Sequence, residues 1–137
     1  MHLMKRTMLT GAAVAALLVL GGIAPAADAR PSPVPAAQNP QVARGEQAYV
    51  LACAFCHGNN LEGGEGPALI GGGRMAPYVN AARLYQYTRG TMPLDAPGSL
   101  SEQQYYDVVA YLLARNNLLA DNLTIEAGNA ADISTRN

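Results

Sequence analysis

Cys53-Ala54-Phe55-Cys56-His57 is the stretch on which the reading of this 137-residue chain turns. Two cysteines three positions apart lie on one side of a helical turn, where each can add to one vinyl group of a haem, and the adjacent His57 is then held beneath the iron as its proximal ligand. Cys-x-x-Cys-His is the attachment pattern of c-type haem. The same residues have two other readings, a redox dithiol and a chance pair or disulfide beside an idle histidine. A thioredoxin-type dithiol belongs in a strand-rich βαβ setting, and no run of this sequence alternates with the period of a strand.

Outward from the motif the pattern is helical. Val42, Gly45, Tyr49 and Ala52 recur at three- and four-residue intervals, which predicts a helix from Gln41 to about Ala54. Gly58 to Gly73 is rich in glycine and reads as loop. Ala81 to Arg89 reads as a second helix, ended by Gly90 and followed by an irregular stretch to Ser99. The last helix is the best signposted: Ser101 as N-cap, Gln104 completing a capping box and Leu100 placed to staple against Tyr105. Tyr105, Val108, Val109, Leu112 and Leu113 then give one buried face that ends near Asn116-Asn117. The fold class is therefore all-α, with three to four short helices and long loops wrapped around one covalently bound haem. So few short helices make a marginal core, and small scaffolds of this kind need a covalent or metal staple; only Cys53, Cys56 and His57 can provide one.

The flanks are of a different kind. Lys5 and Arg6, an apolar run from Leu9 to Ile23 and the small residues of Ala27-Asp28-Ala29 form the three parts of a secretory signal peptide over residues 1–29. The apolar run is shorter than the roughly 20 residues that span a bilayer, so cleavage after Ala29 and a periplasmic location with no membrane span are expected. Residues 30–40 carry Pro31, Pro33, Pro35 and Pro40 and read as a Pro-rich linker. The main domain is residues 41–117, and residues 118–137, where Ala, Asn, Asp and Thr dominate, read as a loosely held C-terminal tail. Nine basic against ten acidic residues with no basic run exclude a nucleic-acid partner. A zinc site, a Ser-His-Asp triad and a multi-cluster ferredoxin each need more than these two histidines and two cysteines, or an arrangement absent here.

Beyond the signal segment the chain keeps one histidine, His57, and two methionines, Met75 and Met92. A thioether is the soft sixth ligand of His/Met cytochromes. Met92 sits in Gly90-Thr91-Met92-Pro93, where the chain can wrap to the far face of the haem and Pro93 stiffens the loop. It is read as the second metal ligand. Met75, after the glycine run, is read as a gap-filling core methionine.

These features together resemble a class I c-type cytochrome over about Gln41 to Asn117: the Gly45 and Tyr49 helix, Cys53 to His57, the Gly66-Pro67-x-Leu69-x-Gly71 loop, and Met92-Pro93 before a final helix with Tyr111 and Leu112. The resemblance implies that Gly45 lets the first helix cross the last closely, that Tyr49 packs near Val108, Tyr111 or Leu112, and that the Pro67 carbonyl accepts a hydrogen bond from His57 Nδ1. Leu84-Tyr85-x-Tyr87-x-Arg89 through Pro97-Gly98-Ser99-Leu100-Ser101 is similar to small cytochromes that serve periplasmic dehydrogenases, including quinoprotein ones. No Trp is present to hold a haem propionate, which leaves Arg74, Arg89, Tyr85 or Tyr87 for that task.

The function implied is one-electron carriage rather than enzymatic turnover, because a His/Met iron has no vacant position. A periplasmic dehydrogenase is the expected donor and a cytochrome or terminal oxidase the acceptor. The alternatives are a haem enzyme or gas-binding sensor with an open or labile sixth position, and a haem-free dithiol protein.

Overall fold

The computed structural model describes residues 39–136. The expected signal peptide and most of the expected linker, residues 1–38, lie outside the described residues. Four α-helices follow in order: α1 (Pro40–Ala52), α2 (Ala54–His57), α3 (Ala81–Thr91) and α4 (Glu102–Arg115), with 3-10 turns at Ala76–Tyr78 and Ala130–Asp132. The described residues contain no strand, only an isolated bridge between Asn80 and Ser134. The fold is all-α, of the cytochrome c type.

Pro40 is the first residue of α1 and not the last of the linker. Proline suits this position because its missing N–H has no intrahelical acceptor to meet. Asn39 caps the helix, its side chain accepting from the Gln41 N–H at 2.9 Å. Gly90 likewise lies inside α3, which runs on to Thr91. α4 begins as its sequence predicts: the Gln104 N–H donates to Ser101 Oγ at 3.2 Å, and the Ser101 N–H donates to Gln104 Oε1 at 2.9 Å.

The core is built on the crossing of α1 and α4. A β-carbon on Gly45 would collide with the Asp107 carbonyl oxygen and stand 2.9 Å from Tyr111 Cβ, so the two backbones approach as only glycine permits. Around this point Tyr49 and Tyr111 pack with ring centroids 5.3 Å apart. The buried Asp107 carboxylate is held by Arg44 Nε at 2.9 Å, Arg44 Nη2 at 3.2 Å and Gln103 Nε2 at 2.7 Å. A buried carboxylate needs such partners, because leaving one unpaired is strongly unfavourable.

The segment after α4 is not a loose tail. Ile125, Ala130, Ile133 and Thr135 are buried. Gln41 and Ile125 exchange two hydrogen bonds, at 2.8 and 2.7 Å. Further along, the Ala81 N–H donates to the Ile133 carbonyl at 2.9 Å and the Thr135 N–H to the Val79 carbonyl at 3.1 Å. The strap is held by isolated apolar residues and backbone bonds, neither of which has a helical period, so its packing left no pattern in the sequence.

Two substitutions test this packing. Gly45→Ala should lower the unfolding free energy by about 3 kcal/mol, as expected for overpacking against rigid backbone. Ile125→Ala should cost about 2–4 kcal/mol, the range for truncating a core side chain, whereas a loose tail would give a change near zero; urea unfolding of the haem-bearing protein measures both.

Candidate functional site

The haem-attachment motif starts where α1 stops. Cys53 leaves helical geometry, and α2 winds a single turn in which the N–H groups of Cys56 and His57 both point back to the Cys53 carbonyl, at 3.2 and 3.0 Å. Cys53 and Cys56 are free thiols, not a disulfide. Burial, with Cys56 adding to it, pushes the Cys53 thiol up to about 11. A dithiol oxidoreductase needs the reverse, a cysteine whose pKa is lowered to favour the thiolate nucleophile.

The glycine-rich loop closes over His57. Its Gly66 N–H donates to the Cys56 carbonyl at 2.8 Å and its Gly63 N–H to the His57 carbonyl at 2.7 Å. Gly66 lies flat on the imidazole, where a β-carbon would stand 2.7 Å from Cε1. His57 is buried, with Nδ1 at 2.8 Å from the Pro67 carbonyl oxygen. A carbonyl can only accept, so Nδ1 carries the proton, and in the neutral ring Nε2 keeps its lone pair for a metal. A carbonyl on the far nitrogen also fixes the ring orientation and raises ligand basicity. Tyr49 ties α1 to the same turn, its hydroxyl donating to the Gly58 carbonyl at 2.6 Å.

The structure thus brings Cys53, Cys56, His57 and Pro67 together through one turn and one loop. Met92 stands on a separate element as the C-cap of α3, half-buried, with its N–H on the Thr88 carbonyl at 2.8 Å. Its carbonyl accepts from the hydroxyl of the fully buried Tyr105 at 2.8 Å. Sequence reading missed this bond, since Tyr105 fits the apolar face of α4 as well as any Leu. Met75 is part of the core, 2 % exposed.

Among the propionate candidates, Arg74 and Arg89 are exposed, and Tyr87 is half-exposed against Tyr78 with ring centroids 5.1 Å apart. Tyr85 stacks on Tyr106, 4.1 Å between centroids, and its buried hydroxyl has no hydrogen-bond partner. These residues fit a haem: two free thiols, an imidazole with its Nε2 lone pair available, a thioether, and a buried hydroxyl lacking a partner. Among the described residues no cluster of three or more His, Cys, Asp and Glu is placed to hold a bare metal ion.

An all-α fold whose first helix runs into Cys-x-x-Cys-His, with a proline carbonyl on the histidine, defines a class I c-type cytochrome, a protein with covalently bound haem c. Over residues 40–112 the chain matches the family described as cytochrome c oxidase, cbb3-type, subunit III, and it belongs to that family. It is also similar to a chain in the crystal structure of the sulfane dehydrogenase SoxCD from Paracoccus pantotrophus, with 28% sequence identity and a TM-score of 0.59. That similarity covers 68% of this chain and 52% of the other, so this chain spans about half the length of its structural relative. No curated protein matches the chain.

The Tyr49 hydroxyl supplies a pH test. Burial above all, with Cys53, Tyr111 and Glu62 adding and Arg115 opposing, pushes it up to about 12. An unfolded tyrosine ionises near 10. Between these values the unfolded chain has lost a proton that the folded one keeps, so this contribution to stability is complete below about pH 10 and falls as pH rises toward 12. Denaturation midpoints across pH 9 to 12 should decline, and in Tyr49→Phe the decline should be shallower.

Proposed function

We propose that this cytochrome is a periplasmic one-electron carrier that takes electrons from a dehydrogenase and passes them to a downstream cytochrome or terminal oxidase. In this reading Cys53 and Cys56 would hold the haem covalently, and His57 and Met92 would supply the two protein ligands to its iron. Pro67 orients His57. The bound haem supplies a single iron that changes oxidation state by one electron. The chain's own residues confine it to that role: two closed ligand positions leave no place for a substrate, and a neutral imidazole with a neutral thioether favours the less charged, reduced state in an apolar setting. A positive reduction potential follows.

The observation that carries the reading is the hydrogen bond from His57 Nδ1 to the Pro67 carbonyl, because it prepares one ring nitrogen, and only one, to meet a metal. The Tyr105 bond to the Met92 carbonyl supports the second ligand by fixing the backbone from which the thioether extends. The dehydrogenase partner is supported by the likeness to a chain of SoxCD, itself a dehydrogenase. Location in the periplasm is supported by the signal-peptide pattern of residues 1–29. Among the described residues no helix is long and apolar enough to cross a membrane.

Wild-type oxidised protein should show the weak charge-transfer band of iron–thioether bonding, and Met92→Ala should lose it while binding carbon monoxide rapidly once reduced. A pyridine haemochrome assay should give one covalently bound haem per chain. Absence of the band, or rapid carbon monoxide binding by the wild type, would favour a sensor or haem enzyme with an open sixth position.

A further inference from the structure

The end of the C-terminal strap encloses a cavity of about 420 Å³ together with Asn116 and the run Gly71-Gly72-Gly73-Arg74. Liquid water takes roughly 30 Å³ per molecule, so the space admits a ligand of several heavy atoms. Cys53, Cys56, His57 and Met92 do not line it, which separates it from the residues proposed to hold the haem.

The lining is rich in unengaged donors. Thr135 is 1% exposed, and its hydroxyl has no hydrogen-bond partner among the described residues. A buried hydroxyl in that state is unfavourable and calls for an explanation. Above Gly71 and Gly72 the space is open, since a β-carbon on either would meet nothing within 4 Å. The Gly71 N–H is taken by Asn116 Oδ1 at 2.9 Å and the Arg74 N–H by the Gly71 carbonyl at 3.1 Å. Those of Gly72 and Gly73 have no acceptor among the described residues.

The charge of the lining has one sign. Arg74 and Arg136 belong to it, and no Asp or Glu does. Among the described residues the ion pair is Arg44 with Asp107, so neither of these two guanidinium groups is matched by a carboxylate. Arg136 is anchored by Nε, which donates to the Ala76 carbonyl at 3.0 Å, and by its backbone N–H on Ser134 Oγ at 3.0 Å. Its two terminal nitrogens stay unengaged among the described residues. A guanidinium fork meets the paired oxygens of a carboxylate or phosphate with parallel N–H groups. Two unmatched cations, an unpaired hydroxyl and two free backbone N–H groups all call for an acceptor that carries negative charge.

We infer that this cavity binds an oxyanion, a carboxylate or phosphate group, held by Arg74 and Arg136 with Thr135, Gly72 and Gly73 donating to it. Such a ligand joins the glycine run to the strap and stabilises the folded chain as it occupies the site. Arg74 thereby has a partner other than a haem propionate. The inference does not depend on the carrier reading, because it uses none of the proposed haem-holding residues.

Haem-bearing protein in a zwitterionic buffer is titrated by calorimetry with inorganic phosphate and with succinate, and its unfolding midpoint is followed at each concentration. One saturable site and a midpoint that rises with occupancy are expected, and the tighter of the two anions tells a phosphate source from an organic acid. Arg136→Gln and Thr135→Val should each weaken binding roughly ten-fold or more. Thr135→Ser, which keeps the hydroxyl, should retain it, and Arg83→Gln, on α3 and outside the lining, should leave it unchanged. Arg136 is exposed, so its variant keeps the test decisive even where Thr135→Val fails to fold. Failure of both anions to saturate, equal weakening by Arg83→Gln and Arg136→Gln, or wild-type binding by a folded Thr135→Val would overturn the inference.

Discussion

At Gly45 two helices come together with no side chain between them, and both halves of the site are referenced to that point. α1 runs from the crossing into Cys53, so the position of Gly45 on Asp107 sets where the cysteines and His57 lie. α4 runs from Ser101 through Tyr105 to the same crossing, and Tyr105 holds the Met92 backbone. The proposed ligands come from distant parts of the chain, yet one helix contact relates them. The ion pair between Arg44 and Asp107 and the Tyr49–Tyr111 contact lock the rotation of one helix on the other.

The proximal side is rigid for a second reason. The glycine-rich loop reaches the motif through backbone groups alone: the Pro67 carbonyl and the Gly63 N–H meet His57, and the Gly66 N–H meets the Cys56 carbonyl. Backbone donors and acceptors have fewer conformations to lose than side chains do, so the imidazole is held at small entropic expense. The price of that arrangement is tolerance, since Gly66 lies so close to the ring that a methyl group would displace it.

Much of this is legible in the sequence. Cys53 to His57 specified the attachment chemistry because its spacing has few other uses, and Ser101 with Gln104 specified the start of α4 because a capping box is a local device. The failures share a cause. Pro40 resembled linker and Gly90 resembled a breaker, yet proline is at home at a first helical position and a single glycine can be carried by a packed helix. Tyr105 could not be told from a purely apolar core residue, because the distinction lies in where its hydroxyl ends. The strap after α4 was the largest omission: Ile125 and Ile133 are eight residues apart with polar neighbours, and only the tertiary structure reveals that both are buried.

The strap also bears on the order of assembly. Its bonds to Asn39 and Gln41 join residues 84 positions apart, and such long loops close slowly because ordering entropy is lost before the contact rewards it. An emerging chain that has reached Asn117 already contains both cysteines and the histidine but lacks the partners of Asn39, Gln41, Val79 and Ala81. The attachment motif thus precedes, along the chain, every residue of the strap that clasps α1 and the start of α3.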